Sequence, residues 1–248
     1  MSGHSKWSTI KHKKEKIDAQ RGKIFTRLIR EITTAARQGG GDENSNPRLR
    51  TAVLAAKSAN MPQANIEKAI KKGTGELPGV VYEEKTYEGY GPGGVAIIID
   101  TMTDNANRTT ADIRHILTRY HGNLGESGCV SWMFEKKGLI AVSSSSIGEE
   151  PLMELMLESG ADDMTTEGDS YEIVCAPEQL HVLKEILDKK GVATVSAEVT
   201  MLPKTTMKLD GNKAEQVLKL MEALEEYDDV QQVHSNLDIP EDVLKSME

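Results

Sequence analysis

The order of elements in residues 138–204 restricts the fold of this chain more than any other feature of its sequence. The segment begins and ends with short apolar runs that read as strands. Between these runs, LMELMLE and QLHVLKEILDKK have the apolar spacing of helices, and residues 171–175 read as a strand with residues 163–166 as its partner. This β-α-β-β-α-β order is the split βαβ, or ferredoxin-like, pattern.

The segment before it holds fewer elements than a closed sheet needs. VVYEEKTYEGY and VAIIIDTMT read as two strands joined by a Gly-Pro turn, and VSWMFE reads as a third strand. Thr109, with Asp112 three residues later, resembles the capping box that opens a helix. The order here is β-β-α-β, which leaves the unit incomplete.

Two further elements follow residue 204 and have no partners in their own neighbourhood. NKAEQVLKLMEALEEY has apolar residues at helical spacing, and VQQVHSN reads as a short strand. We predict that they complete the interrupted unit, because each helix must bury its apolar face against a sheet. The predicted fold class is α+β: an N-terminal helical domain followed by two α/β domains, one of them ferredoxin-like and inserted into the other.

The 248 residues of the chain have room for two or three domains. A Leu-Pro-Gly sequence at residues 77–79 marks the first change of texture. The predicted domains are a basic helical domain with an N-terminal tail (1–77), a discontinuous α/β middle domain (78–137 plus 205–248) and the inserted ferredoxin-like domain (138–204).

The first domain is predicted to be a small helical unit with basic outer faces. Apolar residues at three- and four-residue steps place one helix over residues 24–37, and Asn46-Pro47 and Pro62 begin two more. Four basic residues fall together on the first helix, opposite its apolar stripe: Lys23, Arg27, Arg30 and Arg37. On the third helix the outward side chains are Lys68, Lys71 and Lys72.

Charge is divided unevenly along the chain. Residues 1–72 hold 16 Lys and Arg against 6 Asp and Glu, a net of +10, whereas the other 176 residues hold 14 against 33, a net of −19. The sum is the overall −9. This division predicts that the N-terminal third binds a polyanion and that the rest does not. The alternative, a solvated basic face without a partner, fits less well with ten excess positive charges on an acidic protein.

Several classes of protein are disfavoured. The longest apolar run, VAIII, is far shorter than the roughly 20 residues of a membrane span. The Lys-rich start lacks the apolar stretch of a secretory signal, and an organellar transit peptide would be rich in Arg instead. Cys129 and Cys175 match no metal or redox spacing and suit a reducing cytoplasm. We therefore expect a cytoplasmic protein with no membrane partner, cofactor or metal.

Two motifs resemble catalytic or phosphate-binding loops without matching them. The glycines of GYGPGG (Gly91, Gly93 and Gly94 among them) lead into a strand rather than a helix, so a hairpin turn is favoured over a phosphate loop. GESGC fails at the last position of the nucleophile elbow G-x-S-x-G. Ser127 has His121 near it in sequence, but a nucleophile also needs a positioned base and a third group that orients the base. No catalytic residue and no small-molecule substrate are predicted.

The segment TDNANRT has a more specific pattern. Asn105, Asn107 and Arg108 come just before a predicted helix, where amide side chains and free N–H groups can hold an anion. On spacing alone, local capping of the turn is the stronger interpretation. We keep contact with a partner as the alternative for these residues and for the three glycines named above.

The N-terminal tail combines basic residues with an aromatic ring. In GHSKW, Trp7 can stack on exposed bases while the surrounding charges follow phosphates, or it can instead plug the helical unit. Histidines among lysines suit nucleic acid better than metal. The candidate contacts of the tail and the start of the first helix are His4, Lys6, Trp7, Lys11, His12, Lys13, Lys14, Lys16 and Arg21.

Taken together, GHSKWSTIKHKKEKIDAQRGKIFTRLIREI, YEGYGPGGVAIIID, TDNANRT, GNLGESGCVSWMFEKKG and MLPKTT resemble the YebC family, which includes mitochondrial translational activators of cytochrome oxidase synthesis. The resemblance covers nearly the whole chain in unbroken order. It implies three domains around a central cleft: one helical and two α/β, one of these inserted in the other. It also implies a non-enzymatic protein.

The family's N-terminal motif falls on eight residues of this sequence: His4, Ser5, Lys6, Trp7, Lys11, His12, Lys23 and Arg27. Its inner motifs fall on Gly91, Gly93, Gly94, Asn105, Asn107 and Arg108. The resemblance implies a DNA-binding transcriptional regulator or a translation factor that relieves ribosome pausing.

The sequence leaves two kinds of nucleic-acid partner open. A DNA-bound regulator agrees with the description of the family, but no helix-turn-helix with paired base-reading side chains is evident. A ribosome-bound factor that contacts rRNA or tRNA needs no such side chains, because these RNAs can be recognised by shape and charge. An enzyme that uses the cleft is the third and least supported hypothesis.

Overall fold

The structure, a computed structural model, describes residues 18–167 and 169–239. The predicted tail contacts from His4 to Lys16 lie outside these residues, and the side chain of Arg21 is not described. The described residues form three units. The first precedes the second along the sequence, and the third is inserted within the second.

The first unit consists of three helices: α1 (Asp18–Gly39), α2 (Pro47–Ser58) and α3 (Gln63–Thr74). Asn46 begins α2 as predicted: its side-chain oxygen accepts from the Leu49 N–H, and Pro47 occupies the first turn. The Asn46 amide also donates to the carbonyls of Ala35 and Gly40, which fixes the end of α1 against the start of α2. The three helices enclose a core of small and branched apolar residues, with Ile32, Leu49, Val53 and Ile66 fully buried.

The second unit is a four-stranded sheet with the order β3-β1-β2-β9. Its elements are β1 (Glu83–Tyr90), β2 (Ala96–Thr103), α4 (Ala106–Arg119), β3 (Asn123–Leu124), α7 (Gly211–Glu225) and β9 (Val230–Ser235). Helices α4 and α7 bury their apolar faces on one side of the sheet. The helix and strand that follow residue 204 therefore join elements from before residue 134, since β9 pairs antiparallel with β2. A short parallel pair, β8 (Met207–Lys208) and β10 (Leu237–Asp238), lies beside them.

The third unit confirms the ferredoxin-like prediction. Its elements are β4 (Phe134–Ser143), α5 (Glu149–Ser159), β5 (Asp163–Glu167), β6 (Ser170–Cys175), α6 (Leu180–Lys189) and β7 (Thr194–Pro203). The strands are antiparallel in the order β5-β6-β4-β7, and both helices pack on the same apolar cluster. β4 passes without a break through the predicted domain boundary at residue 137, so the exact boundaries remain predictions.

Two local predictions are wrong. VSWMFE is not one strand: residues Ser131–Met133 form a 3₁₀ turn, and β4 begins only at Phe134. Thr109 does not begin a helix, because α4 starts three residues earlier and is capped by Asn105, whose side chain accepts from the Arg108 N–H. The buried hydroxyl of Thr109 makes a long-range contact instead, described below.

The second and third units share a small apolar core. Ala96 and Ile98 of β2 pack with Val130 and Phe134, and Met201 of β7 lies against them. Within the described part of the chain, none of the helices is both long and apolar enough to cross a bilayer.

Candidate nucleic-acid interface

The predicted basic stripe of α1 faces the second unit of the protein. Arg27 donates to the backbone carbonyl of Glu225 at the end of α7. The Lys23 ammonium lies 4.0 Å from a carboxylate oxygen of Glu226, a loose pair between exposed side chains. Lys23 and Arg27 thus approach carboxylate or carbonyl oxygens at residues 225–226.

Arg30 makes the strongest of these contacts. Its Nη1 lies 2.7 Å from Oδ1 of Asp229 and donates to the Met102 carbonyl, also at 2.7 Å. The guanidinium carbon is 5.2 Å from the centre of the Tyr82 ring. Only 14% of the Arg30 side chain and 3% of the Asp229 side chain are exposed. The prediction of an exposed stripe is therefore wrong for Arg30, because the end of the sheet covers this part of α1.

Asp229 gathers partners from several elements. Arg108 of α4 lies 2.9 Å from its Oδ2, and the Thr109 hydroxyl donates to the same oxygen at 2.7 Å. The hydroxyls of Thr103 and Tyr227 lie 3.2 Å away. A buried carboxylate with two arginines and several hydroxyls is compensated, and removing Asp229 would leave Arg30 as a buried charge without its counter-ion.

The pKa values in this cluster reflect that balance. Burial alone would raise the pKa of Asp229, but the hydrogen bonds from Thr109, Arg108 and Arg30 hold it well below its ordinary value. Burial and a hydrogen bond to Asp112, 2.7 Å from the hydroxyl, raise the pKa of Tyr227 to about 12. Asp229 is therefore charged and Tyr227 neutral at physiological pH.

A second ionic contact joins the first unit to the sheet. Arg48 of α2 forms a bidentate ion pair with Glu31 of α1, in which Nε lies 2.7 Å from Oε1 and Nη2 lies 3.0 Å from Oε2. Its Nη2 also lies 2.6 Å from Glu84 of β1. Hydrogen bonds to both carboxylates raise the pKa of Arg48 further above its ordinary value. This arginine belongs to the contact between the units.

The outer face of α3 has a different environment. Lys68 and Lys71 are exposed and Lys72 is half-buried, and no carboxylate of the described residues lies within ion-pair distance of the three. Arg37, in the last turn of α1, is likewise exposed and lies beside α3, since its backbone nitrogen is 3.2 Å from where a Cβ on Gly73 would stand. Of the predicted stripe, Arg37 is thus the residue whose side chain is exposed and makes no ion pair with a described carboxylate.

The inner motifs take mainly structural roles. Gly91, Gly93 and Gly94 form the turn between β1 and β2, with positive φ at Gly93 (76°) and Gly94 (85°), so the hairpin interpretation is confirmed. Asn105 caps α4, and Arg108 pairs with Asp104 and Asp229. The local-capping interpretation thus holds for Asn105, while the side chain of Asn107 is exposed. Contact of these residues with a partner stays a prediction.

One set of side chains has the residue types of a catalytic triad. His234 lies 3.2 Å from Asp100 through Nε2 and 3.2 Å from the Thr200 hydroxyl through Nδ1. Thr200 and His234 are almost completely buried, so a substrate carbonyl has no access to the hydroxyl. The arrangement joins β7 of the third unit to β9 of the second, and its evident role is to hold these strands together.

The sequence interpretation missed the buried carboxylates of Asp229 and Glu88. Asp229 follows a run of acidic residues and looks like one more surface charge, and Glu88 lies in a strand that carries two other glutamates, Glu83 and Glu84. Both are compensated by groups far away in sequence: Asp229 by Arg30 and Arg108, Glu88 by the backbone of residues 128–131. In the sequence, the excess of basic residues on α1 was the one indication that acidic residues would face this helix.

Two family models and a solved structure match this chain over most of its length. Residues 5–76 match the family model described as the TACO1/YebC protein N-terminal domain, and residues 82–237 match that of the TACO1/YebC second and third domain. A solved structure, a conserved hypothetical protein from Aquifex aeolicus, is similar to this chain with a TM-score of 0.84 and 53% identity. The similarity covers 93% of this chain and 96% of that one.

Curated relatives are similar over their full length. A protein of Desulforapulum autotrophicum is 58% identical, and one of Geobacter sulfurreducens is 57% identical, each over 100% of both chains. A protein of Syntrophobacter fumaroxidans is 56% identical over 98% of both chains. All three are named probable transcriptional regulatory proteins.

Proposed function

This chain belongs to the TACO1/YebC family, and on that premise we propose that it is a non-enzymatic, nucleic-acid-binding regulator of gene expression that acts in the cytoplasm. The names of its relatives point to regulation of transcription, and hence to DNA as the first candidate partner. The proposed contact surface is the outer face of α3 together with Arg37 and the basic tail from His4 to Arg21.

The observation that carries the proposal is the set of unpaired cations on the first unit. Lys68, Lys71 and Lys72 are spaced i, i+3 and i+4, so their side chains are neighbours on one helix face. Like charges at this spacing cost a few tenths of a kcal/mol each, and none of the described carboxylates, the nearby Glu67 included, forms an ion pair with these lysines. A polyanion would supply the missing counter-charge, with each ammonium acting as a point charge on a phosphate.

The same observation favours a second candidate, a ribosome-associated factor that binds rRNA or tRNA. A face of lysines alone, without the Arg, Asn or Gln side chains that pair with bases in a sequence-specific major-groove interface, favours contacts with the phosphate backbone over base readout. A surface of lysines therefore serves structured RNA as well as it serves DNA. The two candidates differ in the nucleic acid and share the surface.

A charge-removal variant tests the surface. We expect Lys68→Gln/Lys71→Gln/Lys72→Gln to bind both a DNA duplex and a structured RNA more weakly, with the log–log salt slope reduced by up to about three units. Fluorescence anisotropy at several salt concentrations measures both quantities. The matched control is Lys184→Gln/Lys189→Gln/Lys190→Gln, which removes the same charge from the third unit and should leave the slope nearly unchanged.

The outcomes separate the alternatives. A parent protein that binds neither nucleic acid at low salt contradicts the proposed function. If the triple α3 variant keeps the affinity and the salt slope of the parent, α3 is not part of the interface. Co-sedimentation of the parent with 70S ribosomes through sucrose, lost in the α3 variant, would favour the ribosome, and preference for duplex DNA without such sedimentation would favour a transcriptional role.

A further inference from the structure

Trp132 stands out among the exposed side chains of the second and third units. It lies in the 3₁₀ turn Ser131–Met133 that leads from the second unit into β4, and 67% of its surface is exposed. A tryptophan ring is the largest apolar group that a chain can bury, and leaving it in water forgoes that stabilisation. The location therefore calls for a reason other than packing.

The exposed ring is held in a fixed orientation. Its Nε1 donates to the carbonyl of Cys129 at 3.1 Å, and the same carbonyl accepts from the Tyr90 hydroxyl at 3.2 Å. The polar edge of the indole is thus satisfied by the protein, which leaves its π surface for a partner. A ring restrained in this way loses little conformational freedom when it binds.

The turn beneath the ring is anchored by a buried carboxylate. Glu88, 6% exposed, accepts the backbone N–H groups of Gly128, Val130 and Ser131 at 2.7–2.8 Å. Burial would raise the pKa of Glu88, but these three hydrogen bonds hold it below its ordinary value. The charged carboxylate therefore fixes the residues on both sides of Cys129 and, through them, the position of Trp132.

A cation stands next to the same turn. The backbone N–H of Lys204 donates to the Met133 carbonyl at 2.8 Å, which brings an exposed loop of one lysine and two threonines beside the 3₁₀ turn. None of the described carboxylates forms an ion pair with Lys204. An aromatic face and a free ammonium thus come from adjacent backbone positions.

We propose that Trp132 is a stacking platform for an unpaired base of a single-stranded nucleic acid, and that Lys204 contacts a phosphate of the same strand. The proposal rests on the proposed function and adds a second contact to it, on a different unit from α3. Base stacking on an aromatic side chain needs one free ring face and tolerates any base. On the turn itself Ser131 is polar and Met133 packs against the small apolar core, and within residues 82–152 Trp132 is the one exposed large apolar side chain, so an apolar protein surface would find no continuous patch along this segment.

The acidic surroundings favour a single strand over a duplex. Glu126 is exposed on the same loop, and residues 134–203 hold an excess of acidic side chains. A duplex would bring two phosphate backbones against these charges, and its bases are stacked on each other. One extruded base with one phosphate on Lys204 avoids both costs.

Tryptophan fluorescence tests this site directly because the chain has only two tryptophans, Trp7 and Trp132. In the full-length Trp7→Phe protein, Trp132 is the sole reporter. Titration with a mixed-sequence 12-nucleotide RNA or DNA strand should quench its emission, and the corresponding duplex should not. Trp132→Ala in this background should weaken single-strand binding, followed by anisotropy, about 5- to 150-fold, the equivalent of 1–3 kcal/mol per stacked base.

Conservative and control variants distinguish stacking from loss of structure. Trp132→Phe keeps a ring and should restore most of the affinity lost in Trp132→Ala. Lys204→Gln should weaken single-strand binding several-fold, whereas Lys208→Gln, four residues further on, should not. RNA and DNA strands of the same sequence show whether the site discriminates between the two sugars.

Failure of this inference differs from failure of the proposed function. If the Trp7→Phe protein binds the strands by anisotropy while Trp132 emission is unchanged and Trp132→Ala binds as tightly, the stacking site is wrong and the proposed function stands. Equal quenching by the duplex also overturns the single-strand site. If no nucleic acid binds at low salt, the proposed function fails and the stacking site with it.

Discussion

Two faces of the helical unit each carry three basic residues, but the surroundings of the two faces differ. The face of α1 that carries Lys23, Arg27 and Arg30 lies against the end of the second unit, where Asp229 and main-chain carbonyls receive it. The face of α3 that carries Lys68, Lys71 and Lys72 has no acid opposite it in the described chain. One cluster of positive charge thus holds the units together, and the other is the surface that we propose for nucleic acid.

The largest effect is expected from breaking the buried side of this comparison. Asp229→Asn leaves Arg30 buried without its counter-charge, and the loss of one partner of a buried pair costs about 3–5 kcal/mol. Urea unfolding should show this decrease in the free energy of unfolding. The exposed neighbour provides the control: Asp228→Asn should change it by no more than about 0.5 kcal/mol. Equal stability of the two variants would show that the cluster does not hold the units together.

The pH dependence of stability should follow the same carboxylate. Because the pKa of Asp229 is held below its ordinary value, its contribution is fully present above about pH 4 and is lost as the pH falls through the lower, folded-state pKa. The difference in unfolding free energy between the parent and Asp229→Asn should therefore shrink from pH 5 towards acid. A difference that stays constant over this interval would assign the stabilisation to packing.

Lys23, the exposed residue of the α1 face, should contribute less to the free energy of unfolding than Asp229 does. The pair of Lys23 and Glu226 is exposed and 4.0 Å long, and such pairs contribute about 0–1 kcal/mol. We expect Lys23→Gln to change the free energy of unfolding by less than about 1 kcal/mol. Adding Arg30→Gln should lower it by several times more. An outward-facing basic stripe, as the sequence predicts, would give small losses of stability at Lys23, Arg27 and Arg30 alike, and thermal unfolding of the single variants would measure the gradient along the helix.

The smallest effect on stability is expected at α3. Lys68→Gln/Lys71→Gln/Lys72→Gln removes like-charge repulsion without removing any recorded ion pair, and Gln is a good helix former. The change in unfolding free energy should lie within about 0.5 kcal/mol, with a slight gain at low salt. A loss of more than 1 kcal/mol would mean that the α3 face is also a structural contact and would end the contrast between the two faces.

Local and long-range features differ in how far the sequence reveals them. The order of elements in the third unit could be predicted because apolar periodicity depends on each segment alone. The sequence also predicts which face of α1 carries Arg30. It does not predict the partner of Arg30, because Asp229 is 199 residues away along the chain. Thr109 was misassigned for the same reason: its hydroxyl is used by Asp229, and the nearer Asn105 caps the helix.

The candidate site shows the same limit. The lysines of α3 were predicted to point outward from the helix period, and they do. The anchored turn under Trp132 could not be predicted, because Glu88 stabilises it from a strand about 40 residues earlier. Charge and periodicity indicate which surfaces are available, and only the folded arrangement shows which of them the protein itself uses.

The insertion of the third unit also orders events during synthesis. β2 emerges from the ribosome early, but one of its two neighbours, β9, emerges only after the complete ferredoxin-like unit has been made. The inserted unit begins and ends in paired strands, with Phe134 opposite Pro203, so it can close on itself as soon as β7 appears. Until α7 and β9 emerge, the backbone groups at the β2 edge of the second unit are unpaired, and its apolar face is not yet covered by α7. A chain that stalls after β7 has left the ribosome and before β9 has emerged would therefore have a folded inserted unit and a central sheet exposed to aggregation.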